Sequence, residues 1–209
     1  MPVCHKRKFI FFHIPRCGGT SVEVGLELTK AKNLYGVTKR DSQTLTLHHL
    51  TPGELLDKSL VGEDELARFF KFTIVREPFD RMASDFCWHK RLGRRNRVTD
   101  LSFTAYLELA ESVLRNERFH DELHLDHFRP MIDFCLLDGR LVLDDVFRLE
   151  SLDQEWDRLK PVVGSLRLPH LNHVANYEDL RTQANLDKVY QLYACDKLFY
   201  ENLDLVRTR

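Results

Sequence analysis

The sequence predicts an α/β fold in which a central parallel sheet is flanked by helices, and three observations support this prediction. Residues 8–14 and 71–76 are short, almost continuously apolar segments, the pattern of strands that are buried on both faces. A turn signal and then helical spacing follow each segment. Chains in which strands alternate with helices form parallel sheets that helices cover on both faces.

Length and composition indicate one globular domain. The chain has 209 residues, of which 43% are hydrophobic and 14 are Phe, and this excludes disordered and low-complexity classes. A chain of this size buries roughly 70% of its unfolded surface, so its core needs no disulfide for support. No linker rich in Pro, Gly or Ser divides it, and we expect a single domain over residues 1–209.

Charge and cysteine content exclude several classes of partner. There are 31 Lys and Arg against 32 Asp and Glu, so an anion must be bound by local charge, and we expect no nucleic-acid partner. No apolar run approaches the roughly 18 residues of a membrane span. The five cysteines are odd in number and never form a C-x-x-C pair, which argues against zinc and disulfides and indicates a reducing, cytoplasmic location.

The first strand leads into a predicted turn and helix. Gly18 and Gly19 break the strand, and either Thr20 or Ser21 can cap a helix that runs through Thr29. Strand, glycine turn and helix therefore follow one another within a short stretch of chain.

Two adjacent histidines lie between the next predicted strand and helix. The strand covers residues 44–48, and Thr51 and Glu54 have the spacing of a capping box with proline at the first helical position. His48 and His49 therefore occupy the junction, where side chains are available for chemistry.

The strand over residues 71–76 opens a second strand-turn-helix unit, whose helix has apolar residues on one side over 79–86. The remaining predicted elements are a helix over 103–114, a turn at Asp138-Gly139, a strand over 145–150, a helix opened by Ser151 with Gln154 completing a capping box, a loop over 166–176, and closing helices over 186–203.

The segment over residues 15–21 carries the clearest chemistry. Two glycines let the backbone approach an anion, Thr20 and Ser21 add hydroxyl donors, and Arg16 adds full charge, so the turn suits a phosphate. It is not a Walker A loop, because the first glycine and the lysine before Thr20 are both missing. The interpretation of the chain as an enzyme that hydrolyses ATP or GTP therefore loses its main support.

These residues resemble the sulfotransferases that use 3′-phosphoadenosine 5′-phosphosulfate (PAPS), especially the branch that contains carbohydrate sulfotransferases. The family signature P-K-[TS]-G-G-T-[ST] is similar to residues 15–21, and V-R-[DN]-P with a later serine is similar to residues 75–78 with Ser84. Weaker similarity continues at residues 127–130, 147–150 and 193–196. The resemblance implies a P-loop-like architecture.

The resemblance also assigns roles to individual residues. It implies that Arg76 and Ser84 hold the 3′-phosphate of the donor. The 5′-phosphosulfate would be held by Arg16, Cys17, Gly18, Gly19, Thr20 and Ser21. The residues agree with this, because Arg76 ends a predicted parallel strand, where open α/β sheets bind ligands, and its forked guanidinium suits a phosphate. The alternative is a strand-end arginine paired with Glu77 or Asp80.

The chain departs from the family pattern at three positions. Arg16 stands where lysine is usual, Cys17 where Thr or Ser is usual, and Glu77 where Asp is usual. Arginine keeps the charge but cannot act as an acid, so this departure bears on the rate more than on binding.

The acceptor hydroxyl needs a general base, which points to histidine. Residues 49–52 resemble the G-H-x-x-P stretch in which related enzymes carry their base, so we expect His49 to be catalytic, with His48 as the second candidate and Arg16 stabilising the leaving phosphate. The alternative is a hydrogen-bonded histidine at an element boundary. The reaction requires no metal.

Two further segments have more than one interpretation. His120, His124 and His127 share one face if their segment is helical, which could indicate metal ligands, residues that line the acceptor cleft, or a solvent-facing surface. Residues 90–97 hold five basic side chains, either a solvated loop or a rim that attracts an anionic acceptor or the donor.

The sequence therefore predicts transfer of the sulfuryl group from PAPS to a hydroxyl of a small molecule or glycan by in-line displacement, with adenosine 3′,5′-bisphosphate as product. One alternative is a Mg²⁺-dependent nucleotide kinase of similar architecture, and another is a nucleotide-binding protein without activity. The loops that form the acceptor cleft decide which hydroxyl compound is sulfated, and the sequence motifs predict neither the shape of those loops nor the oligomeric state.

Overall fold

The computed structural model describes residues 3–30, 34–93, 98–164 and 177–206. The strands are β1 Val3–Cys4, β2 Phe9–Phe12, β3 Val37–Arg40, β4 Gln43–Thr46, β5 Phe70–Val75, β6 Leu136–Leu137, β7 Arg140–Leu141 and β8 Asp145–Arg148. The α-helices are α1 Gly19–Gly25, α2 Pro52–Asp57, α3 Glu63–Arg68, α4 Pro78–Arg91, α5 Phe103–Arg115, α6 Leu152–Glu155, α7 Lys160–Val163, α8 Gln183–Leu192, α9 Ala194–Glu201 and α10 Leu203–Val206. Within the described ranges, no helix combines the length and apolar character needed to cross a membrane.

The central sheet has the strand order β1-β2-β5-β8. β2 pairs with β5 and β5 pairs with β8 in parallel, whereas β1 runs antiparallel to β2. Helices flank this mixed sheet, so the predicted α/β class is confirmed. The prediction of a parallel sheet is correct for the three longer strands, while the edge strand β1 is too short to give a periodic signal.

Phenylalanine rings from neighbouring strands form the core at the sheet. The rings of Phe11 and Phe72 lie 5.0 Å apart, those of Phe72 and Phe147 lie 6.4 Å apart, and all three side chains are buried. Thr73 Oγ1 donates a hydrogen bond to the carbonyl of Phe12 over 2.6 Å, which satisfies a buried hydroxyl. Since β2 and β5 are adjacent and parallel, the turns that follow them leave the sheet at the same edge.

The first helix begins earlier and ends sooner than predicted. Gly18 is its N-cap, with φ of 80°, and no side chain caps it, so the prediction that Thr20 or Ser21 caps the helix is wrong. The left-handed backbone that glycine permits turns the chain directly into the helix, so both hydroxyl residues fall within its first turn. The helix ends at Gly25 and does not reach Thr29.

The segment around the histidine pair is also more tightly coiled than predicted. The strand expected over 44–48 stops at the end of β4, and a 3-10 turn, Leu47–His49, follows it. The predicted capping box is confirmed: Thr51 Oγ1 accepts from the Glu54 amide over 3.3 Å, and Glu54 Oε2 accepts from the Thr51 amide over 2.8 Å.

The second predicted capping box is wrong. Ser151 makes no capping hydrogen bond, because its hydroxyl donates to Glu155 one turn later rather than accepting from the amide of Gln154. The predicted loop over 166–176 lies outside the described residues, and the single domain over residues 1–209 stays a prediction. Four elements are confirmed in type: the helix over 103–114, the turn at 138–139 between β6 and β7, the strand that begins at residue 145, and the closing helices α8 and α9.

Candidate functional site

The turn after β2 contains two positions that leave no room for a side chain. A Cβ atom on Gly18 would lie 2.7 Å from Leu149 Cδ1, and one on Gly19 would lie 2.1 Å from Cδ2 of the His13 ring. Arg16, three residues after that histidine, is itself left-handed, with φ of 66°. Backbone conformations of this kind are retained where the surroundings impose them, and they cluster at ligand-binding turns.

The turn after β5 lies directly against this first turn. Arg76 Nη1 donates to the carbonyl of Arg16 over 3.3 Å, and Arg16 Nη2 donates to Ser84 Oγ over 3.3 Å. These contacts place the two arginines and the serine, to which the family resemblance assigns the donor's phosphates, in one cluster at the edge of the sheet. We call Arg16, Arg76 and residues 17–21 the arginine turn.

The electrostatics of the arginine turn favour an anion. Burial lowers the pKa of Arg16, and among the nearby charges Asp85 raises it while Arg76 lowers it further. Nε of Arg16 is buried and has no hydrogen-bond partner within the described part of the chain. Two guanidinium groups held close together, one of them with an unused donor, are stabilised when a negatively charged ligand binds between them.

The side-chain partner of Arg76 is Tyr177, and not Glu77 or Asp80 as in the alternative of a strand-end ion pair. Arg76 Nη2 donates to the Tyr177 hydroxyl over 2.6 Å. Asp80 pairs instead with Arg181, and Glu77 Oε2 accepts from the amide of Asp80 over 2.9 Å as the N-cap of α4. Glu77 therefore keeps the capping function for which Asp is favoured at a helix start.

Two predicted site residues lie inside the protein. The thiol of Cys17 donates to the carbonyl of Pro15 over 3.7 Å and lies 3.9 Å from Met131 Sδ in the core, and burial raises its pKa to about 12. Ser84 is fully buried, and its hydroxyl accepts from Arg16. Both residues therefore shape the arginine turn from within, whereas Thr20 and Ser21 are partly exposed.

A buried arginine that the sequence analysis missed holds the turn in place. Arg81 Nε donates to the carbonyl of Pro15 over 3.2 Å, and its Nη2 donates to the carbonyls of His127 and Arg129 over 2.9 and 2.8 Å. Asp196 lies 3.7 Å away and is fully buried with it. The only sequence signal for this role is an arginine in the apolar pattern of a helix.

Three histidine rings lie beside the arginine turn and form what we call the histidine crevice: His13, His48 and His49. Their ring centroids are 4.3 Å apart for His48 and His49, 4.8 Å for His13 and His49, and 5.4 Å for His13 and His48. Since His13 packs directly on Gly19, the three rings lie next to the first turn of α1. His13 was missed, although it directly follows the buried strand β2.

His49 is held by a carboxylate. Its Nδ1 lies 2.7 Å from Asp126 Oδ2, and both residues are buried. An ionised carboxylate only accepts, so Nδ1 carries the ring proton and Nε2 keeps its lone pair. Burial, opposed by the charge of Asp126, lowers the pKa of His49 to about 3, and the ring is neutral at pH 7.

His48 has a different arrangement. Its Nδ1 accepts from the amide of Gly36 over 3.4 Å, which leaves the ring proton on Nε2. Burial and the neighbouring His49 and His13 rings lower its pKa. Its outer face stacks on Tyr35 at 4.7 Å between centroids. Of the two predicted bases, His49 is therefore the one with a lone pair available.

The three downstream histidines do not share a helical face. His124 has φ of 71° and precedes the 3-10 turn Leu125–Phe128, so the segment is not an α-helix. The Nε2 of His120 bonds to Glu54, whereas Nδ1 of His127 lies 2.6 Å from Asp85 Oδ1. Residues 94–97 of the basic segment lie outside the described residues.

Comparison with known proteins identifies a family for the chain. A family model described as the Sulfotransferase family matches residues 1–201, which is nearly the whole chain. No curated protein and no solved structure matches the chain.

Proposed function

Since the chain belongs to the sulfotransferase family, we propose that it transfers a sulfuryl group from PAPS to a hydroxyl acceptor. The observation that carries this proposal is the contact of Arg76 and Ser84 with Arg16, which joins two turns from different parts of the chain. PAPS has an anionic group at each end of its ribose, so a protein that binds it needs two cationic positions close together. Arg16 and Arg76 supply two such positions.

The residues of the arginine turn fit this donor. The buried Nε of Arg16 has no partner among the described residues, and Gly18, with φ of 80°, turns the chain sharply from β2 into the first turn of α1. We assign the 5′-phosphosulfate to the segment from Arg16 to Ser21 and the 3′-phosphate to Arg76. Ser84 contributes by holding the guanidinium of Arg16, and Cys17 contributes through its backbone.

The chemistry follows from charge and position. When bound, the donor supplies the sulfuryl group and leaves as adenosine 3′,5′-bisphosphate. Arg16 stabilises the negative charge that develops on the departing phosphate, and most of the rate enhancement comes from such positioning and electrostatics. His49 Nε2 accepts the proton of the acceptor hydroxyl, while Asp126 holds the ring in the required tautomer and stabilises the imidazolium.

The acceptor is a hydroxyl of a small molecule or glycan that reaches the crevice past Tyr35, which is 37% exposed and stacks on His48. The unpaired state of all five cysteines supports a reducing compartment, and we propose a cytoplasmic location on that ground.

Thermal unfolding with nucleotides tests the donor assignment. Adenosine 3′,5′-bisphosphate without metal should stabilise the protein by about 2.7 kcal/mol at a hundredfold excess over its dissociation constant. Stabilisation by ATP only in the presence of Mg²⁺ would identify the kinase alternative instead. Mass spectrometry of hydroxyl acceptors incubated with PAPS then tests transfer, and tight nucleotide binding without any sulfated product would indicate a binding protein without activity.

A further inference from the structure

We propose that the histidine crevice binds one divalent transition-metal ion of the Zn²⁺ class and that this ion blocks His49. One ring nitrogen of each of His13, His48 and His49 lies within 4.8 Å of the others. Three imidazoles with an open fourth position are an established coordination set for zinc. The inhibitory consequence rests on the proposed function, whereas metal binding itself does not.

Two of the three histidines donate to buried carboxylates, as histidines that bind a metal do. His13 Nδ1 lies 2.8 Å from Glu23 Oε1, and His49 Nδ1 lies 2.7 Å from Asp126 Oδ2. Histidines that ligate a metal almost always donate their other ring N–H to such a group, which fixes the ring and raises its basicity. In both pairs Nε2 makes no hydrogen bond within the described residues and is left for a ligand.

Charge around the crevice also favours a cation. Glu23 and Asp126 are 0% and 2% exposed, so both carboxylates are buried. Oε2 of Glu23 has no hydrogen-bond partner within the described ranges. Buried carboxylates are stable only when paired with positive charge or hydrogen-bonded throughout. A divalent ion held by His13 and His49 lies one imidazole away from each of these carboxylates.

His48 completes the site at a small cost. Ligation through its Nε2 moves the ring proton to Nδ1 and gives up the hydrogen bond from Gly36, which at 3.4 Å is long. Zinc–nitrogen bonds of about 2.0–2.1 Å place tetrahedral ligands about 3.4 Å apart, so ligand atoms up to 4.8 Å apart must approach by up to about 1.4 Å. His48 is only partly buried and sits on the 3-10 turn, so it is the ring that moves.

The donor atoms select the type of metal. Imidazole nitrogen suits Zn²⁺, Co²⁺, Ni²⁺ and Cu²⁺, whereas Mg²⁺ takes oxygen ligands and keeps its water. The other clusters of histidine and carboxylate are weaker candidates, because their members already bond to one another, as His127 does to Asp85. Because its ligands are imidazole nitrogens, the proposed site differs from the oxygen-lined Mg²⁺ site that a kinase would require.

Cobalt absorption tests the site without any assay of activity. Tag-free protein treated with a chelator is titrated with Co²⁺, and we expect a visible d–d band that saturates at one equivalent and disappears when Zn²⁺ is added. His48→Gln and His13→Gln should each weaken binding at least tenfold, and Asp126→Asn should weaken it 10- to 100-fold through the second shell. His5→Gln, at an exposed histidine that pairs with Glu65, is the matched control and should bind normally.

The outcomes separate this proposal from the proposed function. Absence of the band in the wild type, or a band that saturates at the same Co²⁺ concentration in His48→Gln as in the wild type, overturns the metal site even if PAPS is turned over. If His13→Gln fails to fold by circular dichroism, His48→Gln carries the test, because its ring is partly exposed. Zn²⁺ should inhibit sulfuryl transfer and a chelator should restore it; inhibition that is equal in wild type and His48→Gln also contradicts the proposal.

Discussion

The guanidinium of Arg16 donates a hydrogen bond to Ser84 Oγ over 3.3 Å, although 68 residues separate them in the chain. The contact exists because β2 and β5 are neighbours and parallel, so the turn after one strand meets the helix after the other. Arg76 completes the arrangement through the carbonyl of Arg16. The proposed function depends on this meeting of the two turns.

Replacing Arg76 with Ala should weaken binding of adenosine 3′,5′-bisphosphate far more than binding of AMP. Hydrogen bonds to charged groups contribute about 1.5–3 kcal/mol each, so we expect a loss on the order of 10- to 100-fold for the bisphosphate. Isothermal titration calorimetry measures both ligands. Arg158→Ala is the control, because Arg158 pairs with Asp145 at the start of β8, whereas the site lies at the carboxyl ends of the parallel strands. Equal losses for AMP and bisphosphate in Arg76→Ala would refute the assignment of the 3′-phosphate.

Replacing His49 with Asn should abolish turnover and spare nucleotide binding. General base catalysis contributes about 10²- to 10⁴-fold, and kcat should fall by that amount. Asp126→Asn should lower kcat less, because the base remains while its tautomer is no longer held. Steady-state kinetics and bisphosphate titration on the same preparations make the comparison. Unchanged kcat in His49→Asn would move the base to another residue.

Replacing Gly19 with Ala should disrupt the packing of the His13 ring on the first turn of α1. The added methyl would lie 2.1 Å from the buried His13 ring, and overpacking of this kind costs about 1–3 kcal/mol of unfolding free energy. Gly53→Ala is a matched control, since its nearest neighbour would be Leu137 Cδ1 at 3.9 Å and it lies in α2. Chemical denaturation gives both values. A Gly19→Ala protein as stable as Gly53→Ala would show that the ring and the turn are less tightly packed.

Acid should destabilise the protein partly through Glu54. Burial raises the pKa of this carboxyl, but the hydrogen bond from His120, the charge of Arg129 and the amide of Thr51 outweigh it and lower the pKa to about 2. A depressed carboxyl pKa contributes stability above its unfolded value of 4.5, which is lost as the pH falls from 4.5 towards 2. The contribution is on the order of 3 kcal/mol.

Glu54→Gln measures this contribution. Its unfolding free energy should be lower than that of wild type at pH 7, and the difference should shrink as the pH falls through that window. Urea denaturation at several pH values supplies the two curves, and curves that stay parallel down to pH 2.5 would rule out the role of Glu54.

Some residues of the candidate site could be predicted from the sequence because their neighbours in the chain mark them. The glycines of the first turn, Arg76 at a strand end and His49 before a capped helix are all marked by their chain neighbours. Asp126, Glu23 and Arg81 were not, because each acts on a partner that is brought to it by folding. A lone carboxylate or arginine in a sequence carries no signal of its partner.

By itself, the sequence determined the α/β class, the two strand-turn-helix units and the residue types that an anion-binding turn requires, since these follow from periodicity and backbone preference. Only the tertiary structure decided that Leu149 packs against Gly18, that Cys17 and Ser84 point inward, and that three histidines meet beside the turn. Those outcomes depend on packing between segments distant in the chain, and such packing has no local pattern.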